Sequence, residues 1–232
     1  MCQIAICRDR RITTEELNSF WNSNNDGAGV IYRDAGFVKW KKGFMSKDEL
    51  KSFVEKLSLP YVIHFRAATH GSECPELTHP FLVSMSNPIQ GTLRQGQYLL
   101  IHNGVDSEAI KMLMIGMFSK GQKWNFKEMS DTRAIAILLS VLGIDAITQF
   151  SGKFVVVDHK FNIRIYGQFT EKNGILLSNG NQFYLYDRYE RYDYATKDCI
   201  YKSEPNNCPT KNYSKCPMVW HSCPYTRWYM EE

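Results

Sequence analysis

No apolar run in the sequence approaches the ~20 residues needed to cross a bilayer. The first ten residues, Met1 to Arg10, place no charged segment ahead of an apolar stretch, so no signal peptide is expected. Both absences point to a cytoplasmic protein whose cysteines are reduced. The cysteines number seven, an odd count that argues against a pure disulfide framework. No dense basic run or nucleic-acid motif accompanies the net charge of +4, so nucleic acid is not expected as a partner. There is no internal repeat. The 232 residues suit one sizeable domain, or one domain with an appendage.

Local patterns divide the chain into strands and helices in mixed order. Gln3 to Cys7 reads as a strand. Thr13 and Glu16 have the spacing of a capping box and open a helix towards Trp21. Asn24 to Gly27 is a turn, followed by strand material from Gly29 to Trp40 with a break near Asp34 to Gly36. Ser46 to Leu57 is a second capped helix, with Ser46 and Glu49 as the box and Leu50, Phe53, Val54 and Leu57 on one face. Tyr61 to Arg66 reads as a strand whose period of two puts Val62, His64 and Arg66 on one side. Tyr98 to His102 is another strand. Ser107 to Lys120 reads as a helix stopped by Gly121, and Ser130-Asp131 starts a helix through Leu142, closed by Gly143. Lys153 to Asp158 and Asn162 to Gly167 form one expected hairpin. Ile175 to Ser178 and Gln182 to Tyr186 form another, joined by Asn179-Gly180. This order favours an α+β domain of layered sheets and helices over a doubly wound parallel sheet.

Four segments carry residues suited to chemistry. Once Met1 is removed, Cys2 holds a thiol and a free α-amine on one residue. An α-amine has a pKa of about 7.7–8.0, so near neutrality it can take the proton of a thiol, whose thiolate is the reactive form. Arg66, at a strand end, can clamp a carboxylate with two parallel hydrogen bonds. Thr69 and His70 add neutral donors and acceptors beside it, and His79-Pro80-Phe81 follows. Asn103 and Gly104 can aim a side-chain amide and a backbone N–H at one oxyanion, or form a tight hairpin turn. Asp131 can bind an ammonium group or serve as a helix cap.

In this order the pieces resemble the class II glutamine amidotransferases, a family of N-terminal-nucleophile hydrolases. The resemblance rests on Met1-Cys2, Asn25 to Gly29, Arg66 to Gly71 with His79-Pro80, His102-Asn103-Gly104 and Ser130-Asp131-Thr132. Gly152-Lys153-Phe154 and Leu177-Ser178-Asn179 extend it to roughly residue 185. It implies a four-layer αββα sandwich and assigns roles. Cys2 attacks the side-chain amide of glutamine, and Asn103 and Gly104 form the oxyanion hole. Arg66 binds the substrate carboxylate and Asp131 its ammonium, while Thr69, His70 and His79 line the site. The products are glutamate and ammonia, and no metal or cofactor is required. The substrate is glutamine or another γ-glutamyl amide, and a separate synthase or ligase accepts the ammonia. An alternative reading is an inactive member of this family that acts as a binding module.

Three positions depart from the family pattern. Gln3 stands where a glycine usually adjoins the nucleophile, Ala67 replaces an aromatic residue of some members, and Arg133 replaces a common glutamate. The expected domain covers residues 1–187. Residues 188–232 read as a tail rich in Cys and Tyr, with Cys199, Cys208, Cys216, Cys223 and His221. Its cysteines lack the paired CxxC spacing typical of structural zinc.

Overall fold

The alternation of side chains along antiparallel strands decides the layering. The structure is a computed structural model and describes residues 2–68, 72–118, 129–180, 192–193 and 198–199. The chain divides into two compact units, 1–180 and 181–232. The strands of the first unit are β1 (Gln3–Cys7), β2 (Ala28–Asp34), β3 (Phe37–Phe44), β4 (Tyr61–Phe65), β5 (Phe81–Leu82), β6 (Gln90–Thr92), β7 (Tyr98–Asn103), β8 (Lys153–Asp158), β9 (Ile163–Tyr166), β10 (Thr170–Lys172) and β11 (Ile175–Leu177). Seven of them form one sheet, in the order β10-β11-β1-β4-β2-β3-β6. The other four form a second sheet, in the order β5-β7-β8-β9.

Successive strand residues face opposite sides. Ile4, Ile6, Ile31, Val38, Trp40 and Val62 leave the larger sheet on one face and meet Leu99, Ile101, Val155 and Val157 of the smaller. Each such aliphatic side chain stabilises the fold by about 1.5–3 kcal/mol when fully buried. The far face of the smaller sheet, with Leu100, Phe154 and Val156, packs on α3 (Ser107–Phe118) and α4 (Asp131–Leu142). The far face of the larger sheet is covered by α1 (Thr14–Ser23) and α2 (Lys47–Val54). There the Phe20 ring lies 5.5 Å from Phe65, and Phe53 lies 5.2 Å from Tyr32. The fold is the αββα sandwich.

Local signals account for most element ends. Thr13 caps α1 with the full reciprocal box to Glu16. Ser46 sits at the N-cap of α2 but makes no side-chain capping bond. The box expected there does not form, and the Glu49 side chain pairs with Lys41 at 3.1 Å. Gly143 ends α4 with a positive φ of 89°. β11 pairs on its two edges with β1 and β10. Residues 182–186 lie outside the described ones. In the second unit, β12 (Tyr192–Asp193) pairs antiparallel with β13 (Asp198–Cys199). Cys208, Cys216, Cys223 and His221 lie outside the described residues. Among those described, no helix is long and apolar enough to cross a membrane.

Candidate active site

A cleft opens where one end of each sheet meets the start of α4. Its lining includes Cys2 before β1, Arg66 to Ala68 after β4, Leu77 and His79 before β5, His102 and Gly104 at the end of β7, and Ser130 to Thr132. Cys2, Arg66, His79, Gly104 and Asp131, five residues singled out from the sequence, therefore share one wall. Thr69 and His70 lie outside the described residues. Asn103 is buried next to Gly104 of the lining.

The thiol is held by one backbone segment. Ala67 N–H donates to Cys2 Sγ at 3.4 Å, and the thiol lies 3.5 Å from the Ala67 carbonyl. Burial pushes the thiol above its ordinary pKa, against the opposing pull of the Ala67 N–H. A residue stood at position 67 for its backbone explains why alanine suffices there. Gln3 does not crowd the thiol through alternation: it shares its face with Ala5 and Cys7, opposite Ile4 and Ile6. It is fully buried and its Nε2 donates to the Ile4 carbonyl at 3.0 Å.

Arg66 continues the face of Val62 and His64, as the alternation predicts. It is 3% exposed, so it is not a surface arginine, and its Nη1 donates to the Ser72 carbonyl at 3.0 Å. The loop before β2 fixes it. Asp26 N–H donates to the Arg66 carbonyl, Arg66 N–H donates to the Gly27 carbonyl, and Asp26 Oδ2 accepts from Ala68 N–H at 2.6 Å. In the sequence Asp26 reads as part of a turn and of the Asn25 to Gly29 element of the resemblance, with no role of its own.

Two open readings resolve. Asn103-Gly104 is not a hairpin turn, because the chain proceeds from β7 to α3. Gly104 must lack a side chain. A Cβ there would lie 2.7 Å from His102 Nε2 and 2.9 Å from the Gly152 Cα. Asp131 is not the helix cap either, since Ser130 caps α4 by accepting from Arg133 N–H. Asp131 is free of that duty and accepts from Thr132 N–H at 2.7 Å and Asp106 N–H at 3.0 Å.

Asp131 belongs to a closed ring of polar contacts. Its Oδ2 takes Asp106 N–H, and Asp106 Oδ2 takes Ser151 N–H at 2.7 Å. The Ser151 carbonyl lies 3.0 Å from His102 Nε2, and His102 Nδ1 lies 3.0 Å from Thr132 Oγ1. Thr132 Oγ1 lies 3.4 Å from Asp131 Oδ1 and closes the ring. Burial lowers the His102 pKa, while Asp131 and the Ser151 carbonyl oppose that shift.

A histidine pair lies beside it. His79 Nδ1 is 2.8 Å from His64 Nε2, and the rings meet edge to face at 3.9 Å. Burial pushes both well below the usual imidazole range, so both are neutral at pH 7. Arg133 points away from the cleft and donates to the carbonyls of Ser84 and Met85. Burial lowers it to about 10. Among the described residues, no group of three or more His, Cys, Asp or Glu is placed to hold a metal ion.

No family model and no curated protein matches the chain. Solved structures do. The glutamine phosphoribosylpyrophosphate amidotransferase from B. subtilis, complexed with ADP and GMP, is 16% identical with a TM-score of 0.55, over 79% of this chain and 43% of that one. A structure of the allosteric regulatory enzyme of purine biosynthesis is 17% identical with a TM-score of 0.50, over 76% of this chain and 41% of that one. The chain thus has the N-terminal-nucleophile hydrolase fold of class II glutamine amidotransferases. It spans less than half the length of either structure, and at this identity the likeness is one of fold.

Proposed function

We propose that the protein hydrolyses the side-chain amide of glutamine, with Cys2 as the nucleophile once Met1 is removed. The observation that carries this reading is the convergence of Cys2, Arg66, Gly104 and Asp131 on one cleft. A cation and an anion on the wall suit the carboxylate and ammonium of an amino acid, and leave its side-chain amide to face the thiol. The buried thiol is protonated at neutral pH and needs a base. The α-amine of Cys2 takes that proton as Sγ attacks the amide carbon. The oxyanion that forms is met by Gly104 N–H and by the second N–H of the Asn103 amide, whose first N–H is given to Ser178. The new ammonium returns the proton to the leaving nitrogen. Ammonia departs, and water releases glutamate from the thioester.

Thr69, His70 and His79 belong to the substrate pocket in this reading. The ammonia passes to a separate synthase or ligase, and an acceptor protein raises glutamate release when added. The test is direct. Processed protein, verified by intact mass to begin at Cys2, releases glutamate and ammonia from glutamine, and Cys2→Ala does not. A processed wild-type protein that turns over neither glutamine nor a γ-glutamyl anilide rejects the reading.

A further inference from the structure

We infer that Ser178 and Asn179 are positioning residues that register the nucleophile on the larger sheet against the oxyanion donors on the smaller one. The inference rests on the glutamine-hydrolase reading for its turnover readout, and on geometry alone for its placement. β11 pairs with β1 through Ala5↔Leu177, and the two residues that follow β11 continue that ladder largely with side chains. Ser178 N–H donates to the Ile4 carbonyl at 3.0 Å. The returning bond goes to the hydroxyl, where Ile4 N–H donates to Ser178 Oγ at 2.9 Å. One position further, Asn179 Nδ2 donates to the Cys2 carbonyl at 2.8 Å. Only the amide nitrogen can donate to a carbonyl, so the orientation of Asn179 is set by chemistry.

The same dipeptide reaches the other sheet. Asn103 Nδ2 donates to Ser178 Oγ at 2.8 Å, and Lys153 Nζ donates to the Ser178 carbonyl. Asn103 and Lys153 are paired neighbours on β7 and β8. Two adjacent residues of the smaller sheet are therefore anchored on a residue hydrogen-bonded to β1. Ser178 is 1% exposed, so these bonds are shielded from water.

Among the described residues, Cys2 lies outside the strand ladders. It precedes the first paired residue of β1, whose ladder to β4 starts at Gln3↔Phe65. A chain end is poorly ordered unless tied down. Asn179 fixes the peptide plane after Cys2, which leaves rotation about Cα–C to aim the thiol and the amine. Ser178 holds one N–H of Asn103 and so leaves the other for the oxyanion. Misplacing reacting groups by about 1 Å can cost about 100-fold in rate without any change in the groups themselves.

The experiment compares Asn179→Leu, Asn179→Asp, Ser178→Ala and Ser178→Thr in the full chain, with two readouts. Steady-state turnover of glutamine is expected to lose about 10- to 100-fold in kcat for Asn179→Leu and Ser178→Ala. KM is expected to stay within about threefold, as for residues that do not touch substrate. Ser178→Thr keeps the hydroxyl and restores most of kcat. Asn179→Asp keeps the volume, lacks the donor and stays low, and so replaces the leucine variant if that one does not fold. The second readout is the pH–rate profile for alkylation of Cys2 by iodoacetamide, followed on the Cys2 peptide, which needs no substrate. It is expected to shift in Asn179→Leu, Asn179→Asp and Ser178→Ala and not in Ser178→Thr. A raised KM with unchanged kcat, or wild-type values of both readouts in Asn179→Leu or Asn179→Asp, overturns the inference. A shifted alkylation profile with no glutamine turnover by wild type rejects the hydrolase reading and keeps the clamp.

Discussion

Lys42 shows at the residue scale how burial changes an ordinary group. Its amine is buried, donates to the Glu76 carbonyl and to Asn87 Oδ1, and lies 4.1 Å from the centre of the Phe81 ring. Burial lowers its pKa to about 6, so at pH 7 it is mostly neutral. The unfolded chain, with an ordinary lysine near pKa ~10.4, binds a proton that the folded chain lacks between those two values. Stability must therefore rise with pH through that window, by up to about 1.4 kcal/mol per unit from this group. Urea midpoints at pH 7, 8 and 9 should climb more steeply in wild type than in Lys42→Met, and equal slopes would refute the neutral amine. At the cleft, Arg66→Lys loses the planar fork that fits a carboxylate, and Asp131→Asn loses the charge that suits an ammonium. Each should raise KM for glutamine about 10- to 100-fold, a loss of about 1.4–2.7 kcal/mol. Initial-rate kinetics check this, and an unchanged KM in both removes these residues from the pocket.

Elements are placed by close approaches that the sequence states only as glycines. In β2, Gly29 pairs with His64 of β4, and a Cβ on Gly29 would lie 1.9 Å from the His79 carbonyl. The segment before β5 rests on the sheet at that bare position, which is how His79 reaches His64. Gly29→Ala must push that segment away, at about 1–3 kcal/mol. A thermal melt of the variant should fall by several degrees, and one matching wild type would show that the segment yields freely. Strand alternation and capping residues made β1, β4, β7, β8, α1 and α4 legible, and they carried Cys2, Arg66 and Asp131 to one end of the fold. What stayed hidden had no local signature. At Ser46 the capping box is absent, and Glu49 pairs with Lys41 across space. Asp106, Ser178 and Asn179 act through partners more than forty positions away along the chain, a distance that spacing rules do not reach.

For the whole molecule, the two sheets enclose neutral histidines, and this sets its acid limit. His64 and His79 are held well below the usual imidazole range by burial. Below about pH 6.5 the unfolded chain takes up protons that these rings refuse. Stability is then lost as pH falls, by up to about 1.4 kcal/mol per histidine per unit. Denaturant midpoints measured from pH 7 to pH 5 should drop accordingly, and a flat profile would mean that the rings are protonated in the fold. The ring through His102, Thr132, Asp131, Asp106 and Ser151 has a use of another kind. It aims the backbone amides of Thr132, Asp106 and Ser151 at carboxylate oxygens. Amide protons bound to carboxylates are sensitive to any new positive charge arriving there. These three nuclei, read by NMR, give the cleft its own built-in signal of an occupant, whether or not that occupant reacts.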